Sequence, residues 1–135
     1  MIHLIMGLKG SGKTKKMRDS IEAALATANG DVVCIEYGKT LTYELNYRVR
    51  LVDSKELDIK TSDMLKGLLC GLHAGNFDIT NVYIDNLYRT IGTDRAEGEA
   101  FIAWCADFAE AHNMEITITV SDDPALASDL IKKYL

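Results

Sequence analysis

Apolar positions along the chain fall into two alternating kinds of segment. Ile2, Leu4, Ile5 and Met6 form a short run stopped by Gly7, the pattern of a buried strand. From residue 14 to about 28, Met17, Ile21, Ala24, Leu25 and Ala28 recur at helical spacing, and Asn29-Gly30 ends the pattern. Val32-Val33-Cys34-Ile35 reads as a second buried strand, reaching Glu36 or Tyr37. Over residues 47–52, Tyr47, Val49 and Leu51 alternate with Arg48 and Arg50, which predicts a half-exposed or edge strand. Ser62 can cap a helix carrying Met64, Leu65, Leu68, Leu69 and Leu72, which dies out at Gly75-Asn76. Val82-Tyr83-Ile84 is a third buried strand and ends at Asp85. Thr93 or Asp94 opens a long helix with Phe101, Trp104, Cys105 and Phe108 on one face. Ile116, Ile118 and Val120 mark a fourth core strand. Asp123-Pro124 then starts a last helix, with proline at its first position and Leu126, Leu130, Ile131 and Tyr134 facing inward.

Strands alternating with helices of this length predict βαβ units. The expected fold is therefore α/β, a mainly parallel sheet of four to five strands with helices on both faces. Ligands of such sheets sit at the carboxyl ends of the strands, so residues 7–14, 36–40, 85–89 and 121–123 are where chemistry is expected. A length of 135 residues suits one domain. With 47% apolar and 26% charged residues the composition excludes a disordered tail. The formal net charge of −5 works against a nucleic-acid binder that relies on bulk charge. No apolar run approaches the roughly 18 residues of a membrane helix. The amino terminus lacks a basic leader, so it does not read as a signal peptide, and the cytoplasm is the expected compartment. Cys34, Cys70 and Cys105 are far apart without metal-ligand spacing and are expected as buried free thiols in a reducing compartment. His3, His73 and His112 are dispersed and read as structural.

One octapeptide carries the chemistry. Gly7-Leu8-Lys9-Gly10-Ser11-Gly12-Lys13-Thr14 fits G-x-x-x-x-G-K-[ST] in full, with a strand before it and a helix after it. Glycines let the backbone curl so that successive N–H groups point inward at an anion. The following helix adds its positive end. Lys13 can reach β- and γ-phosphates, and Thr14 offers a hydroxyl to Mg²⁺. A second Gly-Lys-Thr, at residues 38–40, has Val33 where the motif needs its first glycine, so it is no second loop of this kind.

With these residues the chain resembles the P-loop NTPase superfamily. The resemblance implies that Asp85, after the apolar strand Val82-Tyr83-Ile84, holds Mg²⁺ through its water shell. Where many P-loop ATPases carry a water-activating glutamate next, this chain has Asn86, whose amide accepts no proton at neutral pH. Glu36 is the other candidate base, at the end of the second strand; the alternative is a solvated carboxylate paired with a lysine such as Lys39. A glutamate on the strand beside the aspartate strand is similar to the RecA-type recombinases and their relatives, the RecA-like (ASCE) branch. That resemblance makes residues 116–120 the sensor strand and sets Ser121 beside the phosphate. Arg89 and Arg95 are either solvated or cations offered to a neighbouring subunit's site.

Three readings stand at this point. In the first, the chain is an NTPase that binds ATP or GTP with Mg²⁺: residues 7–14 hold the nucleotide, Thr14 and Asp85 the metal, and Lys13 and Glu36 are catalytic. In the second it binds nucleotide without turnover, as a sensor or assembly module whose exposed sheet edge takes a protein partner or a second copy. In the third it is a small-molecule or nucleoside kinase, with residues 39–61 helping to build an acceptor pocket and lid.

Overall fold

A computed structural model describes residues 1–39 and 45–135. Five strands, β1 (Ile2–Gly7), β2 (Asp31–Glu36), β3 (Val49–Asp53), β4 (Ile79–Ile84) and β5 (Glu115–Ser121), form one sheet in the order β1-β5-β4-β2-β3. Every pairing is parallel. The connections carry α1 (Lys13–Thr27), α2 (Ser62–Gly75), α3 (Leu87–Ile91) and α4 (Arg95–Ala111), and α5 (Asp129–Lys132) follows β5. The expected α/β architecture is what the chain adopts.

The two faces of the sheet are covered unequally. Val33, Ile35, Val82, Ile84, Ile116 and Ile118 meet residues of α2, α3, α4 and α5 in the larger core. The alternate residues Val32, Cys34, Val49 and Tyr83 meet Met17, Ile21 and Leu25 of α1, with Leu45 and Leu51 packed beside them. This period-two split is what a strand buried on both sides requires. Each of these apolar side chains contributes about 1.5–3 kcal/mol by leaving water. The Tyr83 hydroxyl adds a polar link, donating to the Ser20 carbonyl at 3.0 Å and sharing a hydrogen bond with Ser20 Oγ at 3.1 Å.

Several details differ from the sequence expectations. Thr61, not Ser62, caps α2, its hydroxyl accepting from Met64 N–H. The last helix is broken in two. Asp123 caps a 3₁₀ turn at Pro124–Leu126, and Ser128 then caps α5. The break follows from Glu99, a buried carboxylate on α4 that accepts both the Ser128 hydroxyl and its N–H and so holds residue 128 out of helical conformation. Leu126 and Leu130 are consequently exposed, and only Ile131 of that group is buried. Cys34 and Cys105 are buried as expected, but Cys70 is exposed. His73 and His112 are not dispersed: α2 and α4 bring their ring centroids to 4.0 Å, beside Phe108.

β3 is an edge strand, as the Arg48/Arg50 alternation implied, and β1 is the other edge. The β1 edge is partly occupied by the chain itself, since Leu4 N–H donates to the Tyr134 carbonyl at 2.9 Å. Among the described residues, no helix is long and apolar enough to cross a membrane.

Candidate functional site

The strand registers decide which residues meet at the carboxyl end of the sheet. Gly7 of β1 lies level with Ser121 of β5, and Ile84 of β4 lies level with Ile118. Asp85 therefore leaves β4 beside Thr119, and Ser121 sits beside the start of the glycine loop. An isolated bridge between Gly7 and Asp122 ties the two strand ends together. One cavity of about 390 Å³ gathers these groups, lined by Lys9, Gly10, Gly12, Lys13, Thr14, Lys15, Asp85, Asn86, Thr119 and Ser121.

The loop has the shape that its glycines permit. Gly10 and Gly12 take φ of 85° and 87°, a left-handed conformation that costs an L-residue roughly 1–2 kcal/mol. Ser11 N–H donates to the Leu8 carbonyl at 3.0 Å and closes the turn. Lys13 Nζ donates to the same carbonyl at 3.2 Å, which holds the ammonium over the loop. Gly12 caps α1 without a side-chain bond, and the first turn of that helix carries no acidic residue. The N–H groups and positive end of α1 are thus left to an anion. Gly7 is buried at the end of β1, while Leu8 and Ser11 are exposed and lie outside the cavity lining.

Opposite the loop, a short polar chain fixes Asp85. Thr119, fully buried, donates to Asp85 Oδ1 at 2.8 Å and accepts Asn86 N–H at 2.7 Å. Asn86 holds φ 52°, ψ 66°, a left-handed position that Asn tolerates better than most residues. Its Oδ1 accepts a long hydrogen bond from Ser121 Oγ at 3.4 Å. The sequence reading missed Thr119. Its only sequence signal was the alternation of Thr117 and Thr119 with Ile116, Ile118 and Val120.

Glu36 follows Ile35, which pairs with Ile84, so it ends its strand beside Asp85 but does not line this cavity. It ends β2 level with Asp53, is only 2% exposed, and is absent from the cavity lining. Its carbonyl accepts Ser54 N–H at 2.8 Å and Ser54 Oγ at 3.1 Å, and Ser54 Oγ also meets Thr90 Oγ1 at 3.0 Å. Burial, then the nearby charges of Asp85 and Glu36, push the Cys34 thiol well above its ordinary pKa. Both carboxylates therefore act on the face that α1 covers.

The two arginines are engaged within the chain. Arg95 forms a two-pronged ion pair with Asp122, Nε to Oδ2 at 2.8 Å and Nη2 to Oδ1 at 3.1 Å. The Arg95 hydrogen bond holds the Asp122 carboxyl below the usual range, against a smaller upward push from burial, with help from Asp123 N–H. Arg89 lies over the Tyr37 ring, 4.9 Å from its centroid. Thr40, the last residue of the second Gly-Lys-Thr, lies outside the described residues, as does part of the 39–61 stretch considered for a lid.

The donor set suits a hard cation completed from elsewhere. Thr14 and Asp85 share the cavity, and Asp85 Oδ2 has no protein partner among the described residues. Among the described residues, no cluster of three or more His, Cys, Asp or Glu side chains could hold a metal on its own. One carboxylate, one hydroxyl, water and ligand oxygens are what Mg²⁺ accepts, so these residues fit it. Against known proteins, the chain matches no family model and no curated sequence.

Proposed function

We propose that this chain is a Mg²⁺-nucleoside triphosphate-binding protein of the P-loop NTPase type, taking ATP or GTP, and within it the RecA-like branch. The observation that carries the reading is the convergence of Lys13 and Thr14, Asp85 and Ser121, from three separate stretches of sequence, on one cavity. In this reading the loop amides and Lys13 hold the β- and γ-phosphates, and Lys9 and Lys15 add positive potential at the cavity mouth. Thr14 and Asp85 hold Mg²⁺, which supplies neutralisation of the phosphate charge. The insertion of β5 between β1 and β4 supports the sensor role of Ser121, because it brings that hydroxyl level with Gly7.

The test is a thermal-shift panel of ATP, GTP, ADP and deoxynucleotides with Mg²⁺. A ligand at a hundred times its Kd stabilises the fold by about 2.7 kcal/mol, which is several degrees for a domain of this size. A triphosphate should raise Tm, and Lys13→Ala should abolish the shift. No shift with any nucleotide sinks the proposal.

A specific observation favours binding without turnover over hydrolysis. The residue after Asp85 is an amide, and Glu36 is buried outside the cavity lining. The cavity lining thus carries no glutamate, and its one carboxylate, Asp85, is held by Thr119. On this reading the protein is a sensor or assembly module, and the β3 edge is open to a partner or a second copy.

A further inference from the structure

We propose that Thr119 is a positioning residue for Mg²⁺: its single hydroxyl fixes both the carboxylate of Asp85 and the backbone of Asn86, and thereby makes metal-assisted nucleotide binding strong. The inference rests on the nucleotide-binding reading above and adds to it a residue that acts through Asp85 and Asn86.

The direction of each hydrogen bond is forced. Asn86 N–H can only donate, so Thr119 Oγ1 must accept it, at 2.7 Å. The hydroxyl proton is then free for Asp85 Oδ1, an acceptor when ionised, at 2.8 Å. One of the two carboxylate oxygens is therefore occupied, and Oδ2 is the one left for a metal-bound water. A carboxylate pinned in this way is presented in one orientation instead of sampling several, which is how outer-shell partners strengthen a metal site.

The same hydroxyl accounts for the backbone at residue 86. Asn86 is one of three non-glycine residues with positive φ among the described residues, and it sits in the cavity wall. Its N–H is turned toward Thr119, which holds the left-handed bend and keeps the Asn86 side chain next to Ser121. The rest of the strand supplies a contrast. Thr117, the neighbouring residue on the same face, is also buried, but Thr119 is the one whose hydroxyl meets both Asp85 and Asn86. Thr119 is fully buried, and an isosteric valine would fill the same space without the two polar bonds.

The experiment is calorimetric titration of ATP into wild type, Thr119→Val and Thr119→Ser, each with Mg²⁺ and with EDTA in its place. The expected result is that Thr119→Val binds metal-free ATP like the wild type, because the glycine loop and Lys13 are untouched. The enhancement given by Mg²⁺ should fall about 10- to 100-fold in Thr119→Val and persist in Thr119→Ser. An undiminished enhancement in Thr119→Val overturns the proposal, as does a Thr119→Ser loss equal to it. Equal weakening of both affinities also overturns it, since that reports a disturbed fold and not a mispositioned carboxylate. Should Thr119→Val fail to fold, Thr119→Ala takes its place against Thr119→Ser with the same criteria. A wild type that binds no ATP in either buffer overturns the nucleotide reading itself, and is thereby distinguished from the failure of Thr119 alone.

Discussion

Cys34, Cys70 and Cys105 show how position within the sheet and helices sets the reactivity of an otherwise identical side chain. Burial pushes the Cys34 and Cys105 thiols up, at Cys34 with the added repulsion of Asp85 and Glu36. A thiol must ionise to attack, so both are inert while the fold holds. Cys70 lies on the exposed side of α2. An aromatic disulfide reagent should therefore titrate one thiol in the native protein and all three in denaturant; two fast native thiols would contradict this packing. The sequence could not separate Cys70 from the others, because it too lies in an apolar run, Leu68-Leu69-Cys70. Thr119 was hidden for the opposite reason. Alternation in a strand marks it as a polar position, but that this side of the sheet is covered, with α1 packed on it and the hydroxyl interior, is a tertiary fact.

Among the elements, α4 has the most to hold. Its first residue, Arg95, reaches Asp122 just beyond β5 and so links the larger helical layer to the strand end beside Gly7. Because Asp122 is held ionised in the folded protein, the link contributes stability above the ordinary carboxylate range and loses it as pH falls through the lowered folded pKa. Wild type should exceed Arg95→Ala in urea midpoint at about pH 6, and the difference should close toward about pH 2. A gap that persists in acid would mean that the guanidinium acts by packing. Strand and helix order, the edge character of β3 and the proline start of the final segment were legible because each rests on local periodicity or a local cap. α3 was not, since five residues, Leu87–Ile91, give no period to read. The broken final helix was not either, because Glu99 acts on Ser128 from 29 residues away in sequence. His73 and His112 meet because α2 and α4 both run back antiparallel to the strands and end side by side, which spacing along the chain does not reveal.

At the scale of the whole molecule, the glycine loop and Asp85 were readable from the sequence because their chemistry is written in contiguous residues. Their meeting in one cavity was not, because it depends on β5 lying between their strands. The role of Glu36 is where sequence and geometry part most. A strand end suggested an accessible base, yet its side chain is almost fully enclosed. Phosphate release from ATP or GTP should accordingly stay at the buffer rate in a malachite-green assay, and Glu36→Gln should not change it. Sustained release that Glu36→Gln abolishes would reinstate that carboxylate as the base and make the chain an NTPase.

The uneven covering of the sheet has a dynamic consequence. Among the described helices α1 is the one packed on the smaller core, and its first turn is also part of the cavity wall, so whatever grips that turn also clamps the core beneath it. Amide exchange should slow along α1 and β2 on ligation while the four-helix side is barely altered, since no residue from within those helices lines the cavity. Occupancy would then be legible at the far end of α1, near Asn29-Gly30, as a change in how often that end opens. A partner resting there could sense the ligand without approaching it.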